Sequence, residues 1–341
     1  MNMAAAFLGA HWEELELSRI ASPDRLSWYL LTPSFPASSH VVFIVLSGSS
    51  SEPVLVMKIS RIPGEDPALF REAANLRAVH AATGNVHSSI PRVIVLGRYH
   101  ETSILIETAL VGVPMDPAFV RRSMNWSVDT TLQWIATLNE QTSVMSYERP
   151  GWCATLIDSS LERIESAVRL SAEEKEQLAK VRELTSVLRN AAFPLVFSHG
   201  DLSDPNILAF RKGGIGVVDW EMAEPEGLPA SDLFFFLNYV ATVRTPWARV
   251  DDLRGFRNAF FRENSWTREY IARYSQQFRL DKQLLRPLFV LCFTRYLSGL
   301  IGRLQGPSGS LDAETSAFLR TDRAYVLWRE AVRNFDGLAL A

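Results

Sequence analysis

The chain has 341 residues, of which 47% are apolar and 21% are charged, and its formal net charge is −3 at pH 7. These are ordinary values for a globular protein, and they exclude a disordered chain, a collagen-like repeat and a small disulfide scaffold. Acidic and basic residues nearly balance, which gives no support for nucleic-acid binding. At roughly 150 residues per domain, this length predicts about two domains or lobes.

Neither the cysteines nor the apolar segments indicate a disulfide-rich, secreted or membrane protein. Cys153 and Cys292 are far apart and form no Cys-x-x-Cys pair, so a cysteine zinc site is excluded and a disulfide framework is not expected. The N-terminus lacks the basic start and long apolar stretch of a secretory signal. Residues 284–304 are apolar but contain three arginines and a proline, so they predict a buried helix. We therefore expect a cytoplasmic protein without a membrane partner.

The first hundred residues predict a small sheet. Residues 41–46 and 54–59 are apolar runs rich in β-branched side chains, and the turn residues between them predict a hairpin. Two further runs, 92–96 and 103–107, predict a second pair of strands joined by a turn at residues 97–101.

A helical pattern separates these two strand pairs and dominates the chain after Gly112. Residues 67–82 place their apolar side chains on one helical face. Further along, Ser171 and Glu174 form a capping box that begins a helix extending to about Asn190.

The order of elements predicts the fold class. Residues 194–219 return to short strands and tight turns, after which helices resume at Ser231 and end with one helix over residues 313–335. We predict an α+β fold with a small β-rich N-lobe at residues 1–108 and a larger, mostly helical C-lobe at residues 109–341.

The segment 194–219 contains the residues that are the best candidates for a catalytic role. Asp201 follows an apolar strand, Asn206 lies five positions later, and Asp219 ends the next apolar strand. Protein kinases use this D-x-x-x-x-N spacing and a later Asp to orient the acceptor hydroxyl and to hold Mg²⁺, which prefers oxygen ligands. The same residue types also favour turns, but the strand context and the second acid make a simple turn the weaker explanation.

A second candidate pair lies upstream of this segment. Lys58 is the only charged residue in the apolar run 54–59, and Glu72 follows on the predicted helix. A strand lysine commonly lies at a sheet edge facing water. In kinases, however, a strand lysine held by a helix glutamate contacts the α- and β-phosphates of ATP, and the downstream pattern favours this interpretation.

With these residues the chain resembles the aminoglycoside phosphotransferase / choline kinase-like superfamily, which shares the two-lobed protein-kinase fold. The resemblance covers about residues 30–300. The residues that carry it are Lys58, Glu72, His199, Gly200, Asp201, Asn206, Asp219 and the segment 227–233.

The resemblance implies a role for each residue of the downstream pattern. Asp201 is implied as the catalytic base, with Asn206 and Asp219 as Mg²⁺ ligands. His199 is implied to pack beneath the catalytic loop, and Asp232 to brace that loop by hydrogen bonds.

The resemblance also implies a nucleotide site. Lys58 would bind the phosphates and Glu72 would position it, while the backbone from Glu107 to Ala109 would form the hinge that pairs with adenine. The first loop, Pro-Ser-Phe-Pro-Ala-Ser-Ser, lacks the glycines of a protein-kinase phosphate loop, so Ser38 or Ser39 is the expected phosphate contact.

Together these features predict a small-molecule kinase that uses ATP, with GTP as a second option, and Mg²⁺. The acceptor is expected to be a hydroxyl of an amino-sugar, a sugar or an amino-alcohol; the sequence leaves its identity and the oligomeric state open. The alternative is a pseudokinase-like nucleotide-binding or regulatory protein, which the Gly-poor first loop supports. A protein kinase is disfavoured because no Ala-Pro-Glu motif follows Asp219.

Overall fold

The computed structural model describes residues 3–20, 26–32, 38–48, 51–84, 88–245, 253–305 and 309–340. The chain forms two compact units, each made of two stretches of sequence. Unit 1 is Met1–Met115 with Asp204–Ala223, and unit 2 is Asp116–Ser203 with Glu224–Ala341. These units are defined by packing alone, so the lobe boundary between residues 108 and 109 stays a prediction.

The bounds of the regular elements are as follows. The described strands are β1 (Leu26–Leu31), β2 (His40–Ser47), β3 (Pro53–Ser60), β4 (Val93–Tyr99), β5 (Thr102–Thr108), β6 (Val113–Pro114), β7 (Val144–Met145), β8 (Pro194–Ser198), β9 (Ile207–Ala209), β10 (Ile215–Val217) and β11 (Glu224–Gly227). The described α-helices are α1 (Met3–His11), α2 (Pro67–Ala82), α3 (Pro117–Arg122), α4 (Met124–Thr142), α5 (Ser159–Ala167), α6 (Ala172–Thr185), α7 (Ser231–Arg244), α8 (Arg254–Phe260), α9 (Arg268–Gln277), α10 (Lys282–Leu304), α11 (Ala313–Thr321) and α12 (Arg323–Arg333).

Unit 1 is built on an antiparallel five-stranded sheet in the order β1-β2-β3-β5-β4. The predicted hairpin is confirmed as β2 and β3, and β3 occupies the centre of the sheet. In the pairing of β3 with β5, Lys58 lies opposite Leu105 and Val56 lies opposite Glu107. Because strand side chains alternate between faces, these four residues share one face of the sheet.

The two faces of this sheet are covered by different helices. On the Lys58 face, Leu69 and Ala73 of α2 pack against Leu105. On the opposite face, Phe7 and Leu8 of α1 belong to the core cluster that contains the inward side chains of β3 and β5. The sequence pattern did not predict α1, because its residues are almost all apolar and show no alternation of polar and apolar faces.

Helix α2 has the bounds that its sequence predicts. Asp66 caps its N-terminus by accepting a hydrogen bond from the Ala68 backbone N–H at 3.0 Å, and Pro67 occupies the first helical position. Both are typical helix-start residues, because a capping carboxylate satisfies an unpaired N–H and proline has no N–H to satisfy. A second, three-stranded sheet of unit 1 pairs β10 with β9 and β9 with β6.

Unit 2 is mostly helical. Its three-stranded sheet has the order β11-β8-β7, and α10 packs against α5, α6, α7 and α12. Among the described helices, α10 alone is long and apolar enough to cross a membrane, but 78% of its most apolar window is buried within the protein. The prediction of a buried helix over residues 284–304 is therefore confirmed.

Three local predictions differ from the structure. Gly97 lies within β4, and the turn that follows uses His100 and Glu101, both with positive φ. The α-helical part of α6 ends at Thr185 and continues as a 3₁₀ helix to Asn190. The single helix predicted for residues 313–335 is two helices, because Asp322 adopts an extended backbone and caps α12 through the Ala324 N–H.

Candidate active site

Lys58 is buried at the centre of unit 1. Its side chain cannot face water at a sheet edge because β3 has a neighbour on each side, and the residue is only 5% exposed. Its Nζ atom donates to both carboxylate oxygens of Glu72, each at 2.6 Å. The structure therefore brings together the strand lysine and helix glutamate that the sequence singled out.

A second carboxylate completes this ion cluster. Lys58 Nζ also donates to Oδ1 of Asp219, at 3.0 Å, and the Asp219 side chain is 36% exposed. Burial by itself would lower the pKa of Lys58, but the carboxylates of Asp219 and Glu72 outweigh it and hold that pKa well above the ordinary value. Lys58 is therefore favoured as a cation, and it lies between the fully buried Glu72 and the partly exposed Asp219.

The segment that carries Asp219 is attached to α2 by further hydrogen bonds. Asp219 has a left-handed backbone with φ of 67°, and the next residue, Trp220, donates its backbone N–H to Glu72 at 3.1 Å. The Asn75 side chain donates to the carbonyl oxygens of Trp220 and Ala223, at 2.8 and 3.0 Å. Sequence reasoning missed Asn75; its position three residues after Glu72, on the same helical face, was the available signal.

The two implied metal ligands belong to the same hairpin of unit 1. The pairing of β9 with β10 places Ile207 opposite Val217, and the Val218 N–H donates to the Asn206 carbonyl at 3.0 Å. Asn206 and Asp219 therefore lie at the same end of this hairpin.

Their donor set suits Mg²⁺. One carboxylate and one amide oxygen are hard ligands, and Mg²⁺ commonly takes one or two protein oxygens and completes its shell with water and substrate phosphates. Within the described part of the chain, no group of three or more His, Cys, Asp or Glu side chains is arranged to hold a metal. The residues present thus fit a metal that is shared with a phosphate, and they do not form an all-protein metal cage.

The loop with Asp201 lies in unit 2 and is organised by Asp232. The Asp232 carboxylate accepts hydrogen bonds from the backbone N–H groups of His199 and Gly200, at 2.7 and 2.9 Å. Gly200 has φ of 81°, a conformation that glycine adopts without strain, and the buried His199 ring accepts from the Asp201 N–H at 3.3 Å.

Burial raises the pKa of Asp232 to about 6, although the two backbone hydrogen bonds oppose this shift. These contacts are the ones that the bracing role of Asp232 requires. Asp201 itself is partly exposed.

Tyr296 of α10 lies near enough to Asp201 in unit 2 to feel its negative charge. Tyr296 packs its ring against Phe235 of α7, with the ring centroids 4.8 Å apart. Burial raises the pKa of Tyr296 above its ordinary value, and the negative charge of Asp201 adds to the shift. The sequence contained no signal for Tyr296, because only the tertiary packing of unit 2 brings it near Asp201.

The two serines expected to contact phosphate make protein contacts in this structure. Ser38 Oγ donates to the His40 carbonyl at 3.2 Å, and Ser39 Oγ donates to Oδ1 of Asp66 at 2.9 Å. A phosphate would have to replace these acceptors. The remainder of the first loop, residues 33–37, lies outside the described residues.

In the predicted hinge, the backbone N–H groups of Thr108 and Ala109 are hydrogen-bonded, and the acidic side chain of Glu107 is buried. The N–H of Thr108 donates to Arg92 at 2.9 Å, and that of Ala109 donates to Val54 at 3.4 Å. The Glu107 side chain is buried on the Lys58 face, and its Oε2 atom has no hydrogen-bond partner among the described residues. Burial, reinforced by the Glu72 carboxylate, raises the pKa of Glu107 to about 8.

An antiparallel sheet unit with a buried Lys-Glu pair, together with a mostly helical unit, defines the protein-kinase-like class of phosphotransferases, which confirms the predicted fold class. A family model described as the phosphotransferase enzyme family matches residues 35–274, and the chain belongs to this family. The family resemblance inferred from the sequence is thus confirmed. The prediction of a small-molecule kinase is confirmed as a general class, without a specific substrate. No curated protein gave a significant match.

Solved structures with the same fold differ widely from this chain in sequence. An ethanolamine kinase of Plasmodium vivax is 13% identical, with a TM-score of 0.55 over 92% of this chain and 84% of its own. The choline kinase LicA of Streptococcus pneumoniae is 9% identical, with a TM-score of 0.54 over 96% and 99% of the two chains. A putative fructosamine-3-kinase of Haemophilus somnus is 13% identical, with a TM-score of 0.52 over 95% and 97%.

Proposed function

We propose that the protein is a nucleotide-dependent small-molecule kinase that transfers the γ-phosphoryl group of ATP to a hydroxyl group, with Mg²⁺ as its metal. The observation that carries this proposal is the buried Lys58, which Glu72 holds on one side while Asp219 reaches the surface on the other. A structural salt bridge would need only one acid, and a second, partly exposed acid on the same lysine suits a site that receives phosphates.

The charge arrangement explains how phosphates would bind. Glu72 keeps the Lys58 ammonium group at one position, so a phosphate oxygen meets a cation that needs no reorganisation. Asp219 and Asn206 are the residues that would hold Mg²⁺, and the ion, when bound, neutralises negative charge on the phosphates.

We assign to Asp201 the role of orienting the hydroxyl group of the acceptor molecule and accepting its proton. A carboxylate accepts the proton of a hydroxyl or orients its lone pair toward the phosphorus atom, and this requires a fixed loop and an accessible oxygen. The two hydrogen bonds to Asp232 supply the first requirement, and the partial exposure of Asp201 is consistent with the second. Tyr296 is the candidate neighbour on the acceptor side.

We infer that the acceptor is an amino-alcohol, a sugar or an amino-sugar. The structural neighbours with the same fold are named as ethanolamine, choline and putative fructosamine kinases, and these names support small hydroxyl compounds as the acceptor class. The first acceptors to assay are therefore ethanolamine, choline and fructosamine derivatives, followed by amino-sugars.

Titration calorimetry with ATP, with and without Mg²⁺, tests the proposal directly. Wild-type protein is expected to bind ATP more tightly with Mg²⁺, and Asp219→Asn is expected to lose the dependence on the metal. Asp336→Asn, a change at an exposed aspartate of unit 2, is the matched control and should behave as wild type. Equal ATP binding by Asp219→Asn with and without Mg²⁺ supports the metal site, whereas unchanged metal dependence contradicts it.

A pseudokinase-like nucleotide-binding protein is the second candidate. The observation that favours it is that Ser38 and Ser39 both donate to protein acceptors, which leaves the phosphate contacts to Lys58. Transfer of the γ-phosphoryl group to any acceptor of the three classes excludes this candidate. Tight Mg²⁺-dependent ATP binding without transfer to any of them favours it.

A further inference from the structure

A buried histidine lies next to Lys58 on the sheet of unit 1, and the proposed phosphate chemistry does not use it. His40 is the first residue of β2 and is only 7% exposed. In the pairing of β2 with β3, His40 lies opposite Ser60 and Val42 lies opposite Lys58. Because alternate residues of a strand share a face, His40 is a diagonal neighbour of Lys58 on the Lys58 face, at roughly 7–8 Å. A nucleotide whose phosphates meet Lys58 has the length to place a terminal phosphate at His40.

Four charged side chains of unit 1 act on the His40 ring. Lys58 of β3 and Arg61 after it are cations, while Asp66 before α2 and Asp219 after β10 are anions. Burial, followed by the charge of Lys58, lowers the pKa of His40 below its ordinary value, although the two acids oppose this shift. The ring is therefore neutral at pH 7.

Ser39 determines which nitrogen carries the proton in the neutral ring. The Ser39 hydroxyl donates its one proton to Oδ1 of Asp66 at 2.9 Å, and its oxygen lies 3.5 Å from Nδ1 of His40. Although this second contact is long for a hydrogen bond, the oxygen can only accept from the ring, which places the ring proton on Nδ1. In the neutral ring, Nε2 is then an acceptor.

We propose that Nε2 of His40 takes up a proton from solvent when a nucleotide binds, and that it then donates a hydrogen bond to an oxygen of the β- or γ-phosphate. This inference rests on the proposed nucleotide-dependent function. Phosphate oxygens are acceptors, so the neutral Nε2 atom cannot bond to them, whereas the protonated ring donates from both nitrogens. The phosphates also favour the charged ring electrostatically, since ATP with one Mg²⁺ keeps a net negative charge.

The protonated ring supplies a phosphate donor at the end of the Gly-poor first loop. Ser38 and Ser39 both donate to protein acceptors, and a charge-assisted hydrogen bond from His40 is stronger than one from a neutral group. The consequence is pH dependence. Because the bound state holds a proton that the free state lacks, the affinity for ATP decreases as pH rises through the pKa of the bound ring.

Calorimetry on the full chain counts the protons that accompany binding. ATP with Mg²⁺ and AMP are each titrated at pH 7 in PIPES and in Tris, two buffers with different ionisation enthalpies, and the difference in binding enthalpy gives the proton uptake. AMP lacks the β- and γ-phosphates, so this comparison tests the wild-type protein without any substitution.

Two variants assign the proton to His40. His40→Gln keeps a hydrogen-bond donor and cannot be protonated. His100→Asn is the control, because it removes an exposed imidazole of unit 1 at a residue with positive φ, which asparagine tolerates. Thermal unfolding first confirms that each variant is folded.

The inference gives a definite pattern of proton uptake and affinity. Wild type and His100→Asn are expected to take up more protons with ATP than with AMP, by up to one proton per site, and His40→Gln is expected to show no such excess. Between pH 6.5 and pH 8.5, the ATP affinity of wild type should fall about tenfold more than that of His40→Gln, which corresponds to one pKa unit.

Two results would overturn the inference and leave the proposed function intact. They are an equal proton uptake by wild type and His40→Gln, and a wild type that shows no excess for ATP over AMP. If wild type binds neither nucleotide, the proposed function fails and the inference fails with it.

Discussion

The Nζ atom of Lys58 lies 2.6 Å from both carboxylate oxygens of Glu72, and neither side chain is accessible to more than a trace of solvent. The pair connects the central strand of the unit 1 sheet to α2, fourteen residues further along the chain. Since the Trp220 N–H also donates to Glu72, this one carboxylate orients both the Lys58 ammonium group and the backbone that follows Asp219.

Replacing Glu72 with Gln is expected to release Lys58 toward Asp219. The amide cannot neutralise the ammonium group, so Lys58 loses its fixed position and kcat/KM for ATP should fall by about a hundredfold. Steady-state kinetics against ATP checks this expectation. Glu176→Gln on α6, at an exposed position, is the control and should match wild type. A Glu72→Gln enzyme with unchanged kcat/KM would mean that Lys58 does not contact the phosphates.

Replacing Asp201 with Asn is expected to abolish transfer and spare nucleotide binding. Asparagine cannot accept the hydroxyl proton, and the loss of such a group typically reduces the rate by 10²–10⁴-fold. We expect kcat to fall by about a thousandfold while the ATP affinity measured by calorimetry stays within twofold of wild type. Asp336→Asn again serves as the control. Near-normal turnover by Asp201→Asn would remove Asp201 from the mechanism.

Asn75→Ala tests the attachment of the Asp219 segment to α2. The alanine variant loses two hydrogen bonds to the carbonyl oxygens of Trp220 and Ala223, at a cost of roughly 1–3 kcal/mol in the free energy of unfolding. We also expect the Mg²⁺ concentration for half-maximal activity to rise several-fold, because the backbone after Asp219 is less well positioned. Denaturant unfolding and a Mg²⁺ titration of activity measure the two effects. A loss of stability with an unchanged Mg²⁺ requirement would give Asn75 a structural role only.

The stability of the protein should depend on pH through Glu107. Its pKa is about 8 in the folded chain and 4.5 ordinarily, so the folded state holds a proton that the unfolded state has released between these values. The contribution of Glu107 to stability is therefore fully present below pH 4.5 and is lost as pH rises through 8.

Glu107→Gln has no such loss, because the amide does not ionise. Relative to wild type, we expect the variant to gain at least about 2 kcal/mol in the free energy of unfolding between pH 5 and pH 8.5. Denaturant unfolding of both proteins at the two pH values measures this gain. A difference that does not change with pH would show that Glu107 ionises normally in the folded chain.

Local sequence patterns determined several helices and strands of this protein and indicated its candidate site residues. The start of α2 follows from Asp66 and Pro67, and the start of α6 follows from the capping box of Ser171 and Glu174, which the structure shows with both hydrogen bonds. The spacing of Asp201, Asn206 and Asp219 indicated phosphoryl transfer in the same way. These signals are readable because caps, turns and motif spacings act over a few residues.

Other features depended on which surfaces meet, and only the tertiary structure decided them. Lys58 could have faced water, but the pairing of β5 with β3 placed it in the interior, where it meets Asp219, 161 residues later in the chain. The hydrogen bonds of Asn75 to the segment after Asp219 also depend on tertiary packing, as does the burial of Glu107 Oε2, which has no partner among the described residues. Burial and the partner of each charge come from packing between distant segments, and no local pattern encodes them.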